Sequence, residues 1–109
     1  MKIRSDLPIK YYLNVHNEEG LRDDLTILFD IIQYLIKVIQ VKQKDLELKN
    51  LKFTSKSLKY IFGDNLKNET FKADLVKRLK NLIESENLKV TGETIHITEK
   101  GLTNFYIIQ

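Results

Sequence analysis

The chain has 109 residues with a formal net charge of +3, is 42% hydrophobic and contains no cysteine, so disulfides, thiolate metal sites and thiol nucleophiles are excluded. This length and apolar content predict one domain, residues 1–109, whose core needs no covalent or metal support. No apolar signal segment is visible near the start, and polar side chains interrupt the longest apolar run, residues 25–41. We therefore expect no membrane partner and a cytoplasmic location.

Residues 1–20 contain the single proline, Pro8, followed by alternating apolar and polar side chains. The apolar residues Ile9, Tyr11, Leu13 and Val15 fall on one side of an extended chain. This pattern predicts a short strand or an extended N-terminal arm.

A long helix is predicted over residues 21–43, with Asp23 and Asp24 in its first turns and Lys42 and Lys44 at its end, where each sign of charge favours the helix dipole. Its apolar side chains form two rows at a spacing of three or four residues. The first row is Leu21, Leu25, Leu28, Ile32, Leu35 and Ile39, and the second is Ile27, Ile31, Tyr34, Val38 and Val41.

Two apolar rows are more surface than we expect one small domain to cover. One row is predicted to pack on the core and the other on a second copy of the chain, which gives a homodimer. The first row is our predicted dimerisation surface. The alternative is a helix buried at the centre of its own domain.

Residues 54–63, TSKSLKYIFG, predict a short second helix after an extended piece that ends near Phe53. Thr54 or Ser55 can accept a hydrogen bond from a free amide at its start, and Gly63 can take the left-handed backbone conformation past its end. The side chains predicted to point inward are Leu58, Ile61 and Phe62.

A third helix is predicted after a cap at Asn68 or Thr70, because apolar residues then recur every three or four positions. Its predicted buried stripe is Phe71, Leu75, Leu79 and Leu82, widened by Val76 and Ile83.

The pattern then changes to a period of two, which predicts a β-hairpin. Leu88, Val90, Ile95 and Ile97 alternate with polar residues around Gly92, and a Thr-Glu-Lys-Gly turn follows at residues 98–101. The order of helix, short strand, helix, helix and hairpin predicts a mainly α fold with a small β hairpin, in the α+β class.

Positive charge is concentrated in one segment of the chain. Residues 49–80 contain nine Lys and Arg against three Asp and Glu, an excess of six, whereas the two signs are equal in number over residues 1–50. Such a cluster on a helix-turn-helix is typical of a phosphate-binding surface. The alternative is a solvated lysine-rich face.

Three stretches within residues 51–105, FTSKSLKYIFG, LKNLIESENLKV and IHITEKG, resemble the winged helix-turn-helix superfamily. The resemblance is to MarR-type and PadR-type bacterial regulators, whose wing ends in a Leu/Ile-Thr-x-Lys-Gly turn. It implies that the third helix enters the major groove of double-stranded DNA and that the wing reaches the backbone or minor groove.

Ala73 and Asp74 lie on the face that the resemblance turns towards DNA, and Lys56 and Lys59 are predicted to clamp phosphates. The full predicted DNA-binding set is Lys56, Lys59, Lys67, Asn68, Thr70, Lys72, Lys77, Arg78, Lys80 and Asn81.

Catalytic chemistry is not indicated. His16 and His96 are the only histidines, too few for a three-ligand zinc site. Glu47 and Lys49, with Asp45 before them, have the acid-x-Lys spacing of metal-dependent nucleases, with Asp30 as a conceivable further group, but this spacing is common by chance. We predict no enzyme activity, no cofactor and no metal.

Two functions remain open. The first is a small dimeric DNA-binding protein, either a transcriptional regulator or a replication or partition accessory of a plasmid or phage. The second is a protein-interaction module, an adaptor or a phage-encoded inhibitor. The acidic residues Glu93, at the predicted wing tip, and Asp74 favour a protein partner, whereas the excess of lysines favours DNA.

Overall fold

The structure is a computed structural model that describes the backbone of residues 19–108 and the side chains of residues 24–108. The predicted arm at residues 9–15 and the side chain of Leu21 lie outside this described part. The described elements are α1 (Glu19–Ile39), β1 (Lys52–Thr54), α2 (Leu58–Phe62), α3 (Glu69–Glu84), β2 (Leu88–Thr91), β3 (Thr94–Ile97) and α4 (Glu99–Ile108). The described residues therefore form a mostly helical α+β fold.

The three strands form one antiparallel sheet in the order β1-β3-β2. Ile95 of β3 lies between Phe53 of β1 and Val90 of β2. Gly92 has a φ of 61° in the two-residue turn between β2 and β3, a conformation that glycine adopts without steric cost. The predicted hairpin is confirmed.

Helix α1 is the centre of the core. Leu28, Ile31 and Ile32 are completely buried, and α1 contacts α2, α3 and α4. Phe29 packs on Phe105 of α4, with ring centroids 5.2 Å apart. Among the described residues, no helix is both long and apolar enough to cross a bilayer.

The predicted dimerisation row lies mostly inside this core. Leu25, Leu28, Ile32 and Leu35 are buried, and Ile39 is half-buried. The assignment of this row to an exposed interface is therefore corrected. One small domain does cover most of the apolar circumference of α1, because other helices pack around it. Among the side chains of α1 that the structure describes, Val38 is the exposed large apolar one.

Helix α1 also ends earlier than predicted, at Ile39 instead of residue 43. Gln40 has a φ of 55°, so the chain leaves the helical conformation there, while the Gln40 amide still donates to the Ile36 carbonyl. Lys42 and Lys44 therefore lie beyond the helix, and Lys37 is the basic residue of its last turn.

Helix α2 begins without the predicted side-chain cap. A 3-10 turn, Ser55–Ser57, leads into it, and the Leu58 amide donates to the Ser55 carbonyl. A backbone carbonyl, and not the side chain of Thr54 or Ser55, therefore accepts the hydrogen bond at the start of the helix. Gly63 ends the helix with a φ of 57°. The φ is positive as predicted, but the ψ of −135° lies outside the left-handed helical region that was expected.

Helix α3 has a side-chain cap at its start and a backbone motif at its end. The Asn68 carboxamide oxygen accepts from the Phe71 amide at 3.0 Å, which confirms the predicted cap. At the end, the Asn87 amide donates to the Leu82 carbonyl and the Glu86 amide to the Ile83 carbonyl, with Glu86 at a φ of 66°. This is the Schellman arrangement.

The apolar stripe of α3 is narrower than predicted. Leu75 and Leu82 are buried, and Phe71 and Leu79 are partly buried against the core. Val76 and Ile83, which were expected to widen the stripe, are exposed, because they lie on the flank of α3 turned away from α1.

Helix α4 was not predicted, because residues 98–101 were interpreted only as a turn. Thr98 caps this helix by accepting from the Gly101 amide at 3.0 Å, and its hydroxyl donates to the Glu86 carbonyl at 2.6 Å. A Cβ at position 101 would collide with the Asn87 carbonyl oxygen. The turn therefore begins a helix that packs closely on the end of α3.

The second half of α4 completes the core. Phe105 is completely buried, and the Tyr106 hydroxyl donates to the Gln43 carbonyl at 2.6 Å. Burial, together with the nearby Asp45 carboxylate, raises the pKa of the Tyr106 phenol. The protonated, donating form of Tyr106 is the one that the fold favours.

Candidate nucleic-acid interface

Most of the predicted DNA-binding lysines are exposed on the turn before α2, on α2 itself and on α3. These exposed lysines are Lys56, Lys59, Lys72, Lys77 and Lys80. Within the described part of the chain, none of the five forms an ion pair. They are available to an anionic partner.

Two other predicted residues already have structural roles. Lys67 lies 3.4 Å from the Asp64 carboxylate, with both side chains in solvent, so this pair is weak and screened. Asn68 uses its oxygen to cap α3. Thr70 is exposed in the first turn of α3, as the predicted interface requires.

Arg78 and Asn81 face α1 instead of the exterior. The Arg78 guanidinium lies 3.4 Å from the carboxylate of Asp24, whose side chain is only 4% exposed, and the Asn81 amide lies 3.5 Å from the same oxygen. Their assignment as residues that contact DNA bases or phosphates is therefore corrected. They hold α3 on α1 through a buried carboxylate.

Asp74 belongs to the same cluster. Its carboxylate accepts from the Arg78 Nε at 2.8 Å, one turn away along α3. Arg78 therefore partly neutralises the acidic residue that the sequence places near the DNA-facing side. The charge objection that Asp74 raises against a DNA interface is weakened by this contact.

The outer face of α3 is formed by residues spaced three and four apart. Ala73, Val76, Lys77 and Lys80 are all exposed. At 100° per residue, Ala73, Lys77 and Lys80 lie opposite the buried Leu75 and Leu82, whereas Val76 lies on one flank of this face, about 100° from Leu75. Around the helix, this surface has Ala73 between two ammonium groups and Val76 at one edge. Glu69 and Glu84, at the two ends of the helix, are also exposed.

The hairpin tip is acidic and short. Glu93 is exposed beside Gly92 in the turn between β2 and β3, and the strands on either side have four residues each. An acidic tip repels phosphate, so the charge of this loop does not favour insertion into DNA.

Two open grooves lie next to these surfaces. One, of about 650 Å³, lies between α1 and α2 and includes Asp30, Tyr34 and Tyr60; burial raises the pKa of the Asp30 carboxyl. The other, of about 600 Å³, lies between the end of α3, β2 and the start of α4, and includes Ile83, Leu88 and Val90. Both grooves are open to solvent.

The acid-x-Lys segment is held by contacts of its own. Glu47 and Lys49 form an ion pair with each other at 3.1 Å, and Asp45 lies in a separate 3-10 turn, Gln43–Asp45. Over the described residues, no three acidic or histidine side chains come together as metal ligands would. His96 lies on β3, and His16 is outside the described residues.

The sequence interpretation missed Asp24 as an organising residue, because it treated this carboxylate only as a favourable charge in the first turns of α1. It also assigned Val76 to the core. Ala73 and Val76 are small apolar residues close in sequence to the lysines at 72, 77 and 80. This spacing could have indicated an apolar patch on an otherwise polar face.

No known protein family, curated protein or solved structure matches this chain. Its function is therefore inferred from the arrangement of its own residues.

Proposed function

We propose that the protein binds double-stranded DNA as a small winged helix-turn-helix protein, acting as a transcriptional regulator or as a replication or partition accessory. The observation that carries this proposal is the set of exposed lysines on α3 and around α2, at positions 56, 59, 72, 77 and 80, which have no acidic partner among the described residues. Helix α3 would enter the major groove, and Lys56 and Lys59 would contact the phosphate backbone.

The element order supports this interpretation. A short helix and a longer helix are joined by a 3-10 segment, Gly63–Lys67, and a β-hairpin follows. The second strand of this hairpin pairs with β1, which precedes the short helix. The outer side of α3 carries Thr70, Lys77 and Lys80 and is not covered by another described element. A helix that is buried on one side and basic on the other suits a groove lined by phosphates.

A homodimer is part of the same proposal. Two α3 helices must be placed about one turn of DNA apart to read a two-fold symmetric site. Because most of the predicted dimerisation row is in the core, the pairing surface would use residues that remain exposed, such as Val38 on the described part of α1.

The test is a titration of labelled duplex DNA at several salt concentrations. Each phosphate contact that is lost reduces the slope of log Kobs against log salt by about one, so Lys77→Ala combined with Lys80→Ala should weaken binding and reduce the slope by about two. The matched control is Lys42→Ala with Lys44→Ala, which removes the same charge from exposed positions away from α2 and α3 and should leave the slope unchanged. Absence of duplex binding at low salt contradicts the proposal.

A protein-interaction module is the second candidate, favoured by the exposed apolar residues Val76, Ile83 and Val90 and by the acidic hairpin tip. If the protein acts in this way, changes in the groove between α3, β2 and α4 would abolish its activity in cells, whereas the double lysine variant would retain it. The DNA titration separates the two candidates.

A further inference from the structure

The outer face of α3 offers no arginine and no side-chain amide to read purines. The helix contains one arginine, one asparagine and no glutamine, and the whole of α3 belongs to the described part of the chain. Arg78 and Asn81 are both directed at Asp24. Bidentate readout of guanine by arginine, or of adenine by an amide, is therefore not provided by the exposed side of this helix.

That face carries two apolar side chains instead. Val76 is 46% exposed, and Ala73 is exposed one turn before it. Valine has a lower helix propensity than straight-chain residues, and an exposed apolar side chain does not stabilise the fold by burial. Neither effect accounts for a valine at this position. At 100° per residue, Ala73 lies between Lys77 and Lys80 around the helix, and Val76 lies between Lys80 and Lys72. A DNA base edge would therefore lie against each apolar side chain if these ammonium groups contacted phosphates.

Thymine presents the apolar group that matches this surface. Its C5-methyl projects into the major groove, and apolar side chains contact it there. Thr70, whose side chain is exposed on the same side of α3, offers a methyl group and a hydroxyl that can bind either kind of base.

We propose that Ala73 and Val76 contact thymine methyl groups in the major groove, so that the protein discriminates A·T from G·C pairs by apolar contact. This inference rests on the proposed function, because it assigns the base readout of the same helix. The lysines at 77 and 80 then supply affinity, and the apolar pair supplies base preference.

Two duplexes that are identical except that uracil replaces thymine test this inference. Uracil keeps the pairing edge of thymine and lacks only the methyl group. The wild-type protein should bind the uracil duplex about fourfold more weakly for each methyl contacted, which corresponds to ~0.8 kcal/mol for one buried carbon. A G·C-rich duplex should also bind more weakly than the thymine duplex.

Val76→Ala should bind the thymine duplex more weakly and lose the part of the difference between the two duplexes that comes from Val76. The substitution favours the helix, so folding is preserved. The matched control is Val90→Ala, since Val90 is also 46% exposed but lies on β2. This variant should discriminate between the duplexes as the wild type does.

The outcomes separate the inference from the proposal on which it rests. Equal binding of the two duplexes by the wild type overturns methyl readout and leaves DNA binding intact. Unchanged discrimination in Val76→Ala overturns the assignment to Val76. Absence of binding to every duplex at low salt overturns both, because then no DNA interface exists for this helix to read.

Discussion

Arg78 and Asn81 show why the role of a single side chain is hard to assign from spacing. Both were assigned to the DNA-binding set, but the structure turns them towards Asp24, which lies 54 positions from Arg78 in the sequence. Helical periodicity gives each side chain a direction on its own helix, whereas its partner depends on how the helices pack. By contrast, the Asn68 cap depends only on neighbouring residues, and it was predicted correctly.

Arg78→Ala should lower the free energy of unfolding by about 2–3 kcal/mol, because it leaves the buried Asp24 carboxylate without its guanidinium partner. The Arg78 side chain is 20% exposed, so water can replace part of the contact, and the loss should fall below that of a fully buried pair. Urea denaturation followed by circular dichroism measures it.

The control for this change is Lys77→Ala, at the residue of α3 that precedes Arg78. Lys77 is exposed and forms no ion pair with a described residue, so its removal should change stability by less than about 0.5 kcal/mol. Equal effects from the two variants would mean that the Asp24 contact does not stabilise the packing of α3 on α1.

At the level of elements, the order of helices and strands was predicted up to residue 97, and α4 was missed. The period of two in the hairpin and the stripe of α3 are local patterns, so the sequence carries them directly. The start of α4 also depends on neighbouring residues, but Gly101 has a low helix propensity. The helix that begins at Glu99 was therefore not recognised. Glycine is required there because α4 approaches the backbone of Asn87 closely.

The end of α3 gives a prediction at this scale. Glu86 has a positive φ, which costs a residue with a side chain about 1–2 kcal/mol, while glycine loses about 0.5–1 kcal/mol more conformational entropy on folding. Glu86→Gly should therefore increase stability by about 0.5–1 kcal/mol, measured as a shift of the urea midpoint.

Glu84→Gly is the matched control, since Glu84 is also an exposed glutamate but lies within α3. Glycine at a helical position should decrease stability by about 0.5–1 kcal/mol. Two shifts of the same sign would show that the backbone conformation at residue 86 is not what decides the effect.

For the whole molecule, the sequence predicted the α+β class but misjudged how much apolar surface one domain can cover. The apolar residues of α1 were identified correctly, but the core residues Phe105 and Tyr106 of α4 were not expected to cover them. Once these two residues pack on α1 and on the loop after it, little of the helix remains for a partner. The predicted interface was therefore wrong because α2, α3 and the unrecognised α4 all pack on α1.

If the protein is a homodimer that pairs through the exposed side of α1, Val38→Glu should yield folded monomers, because it places a charge on the exposed apolar residue of that helix. Analytical ultracentrifugation measures the mass, and circular dichroism verifies folding. Leu28→Glu should unfold the chain instead, since Leu28 is completely buried.

Gln33→Glu serves as the control for charge, because it adds a negative group at another exposed position of α1 and should leave the mass unchanged. A wild-type protein that sediments as a monomer at every concentration would contradict the dimer and leave each monomer to bind a single DNA half-site.

The strand order β1-β3-β2 also has a consequence for how the chain folds. The hairpin of β2 and β3 closes over a two-residue turn, whereas β1 and β3 are separated along the chain by α2 and α3. Closing a short loop loses less conformational entropy than closing a long one. Nucleation is therefore expected in the hairpin and its contact with α3, and the three residues of β1 should be the last strand to gain protection from hydrogen exchange during refolding.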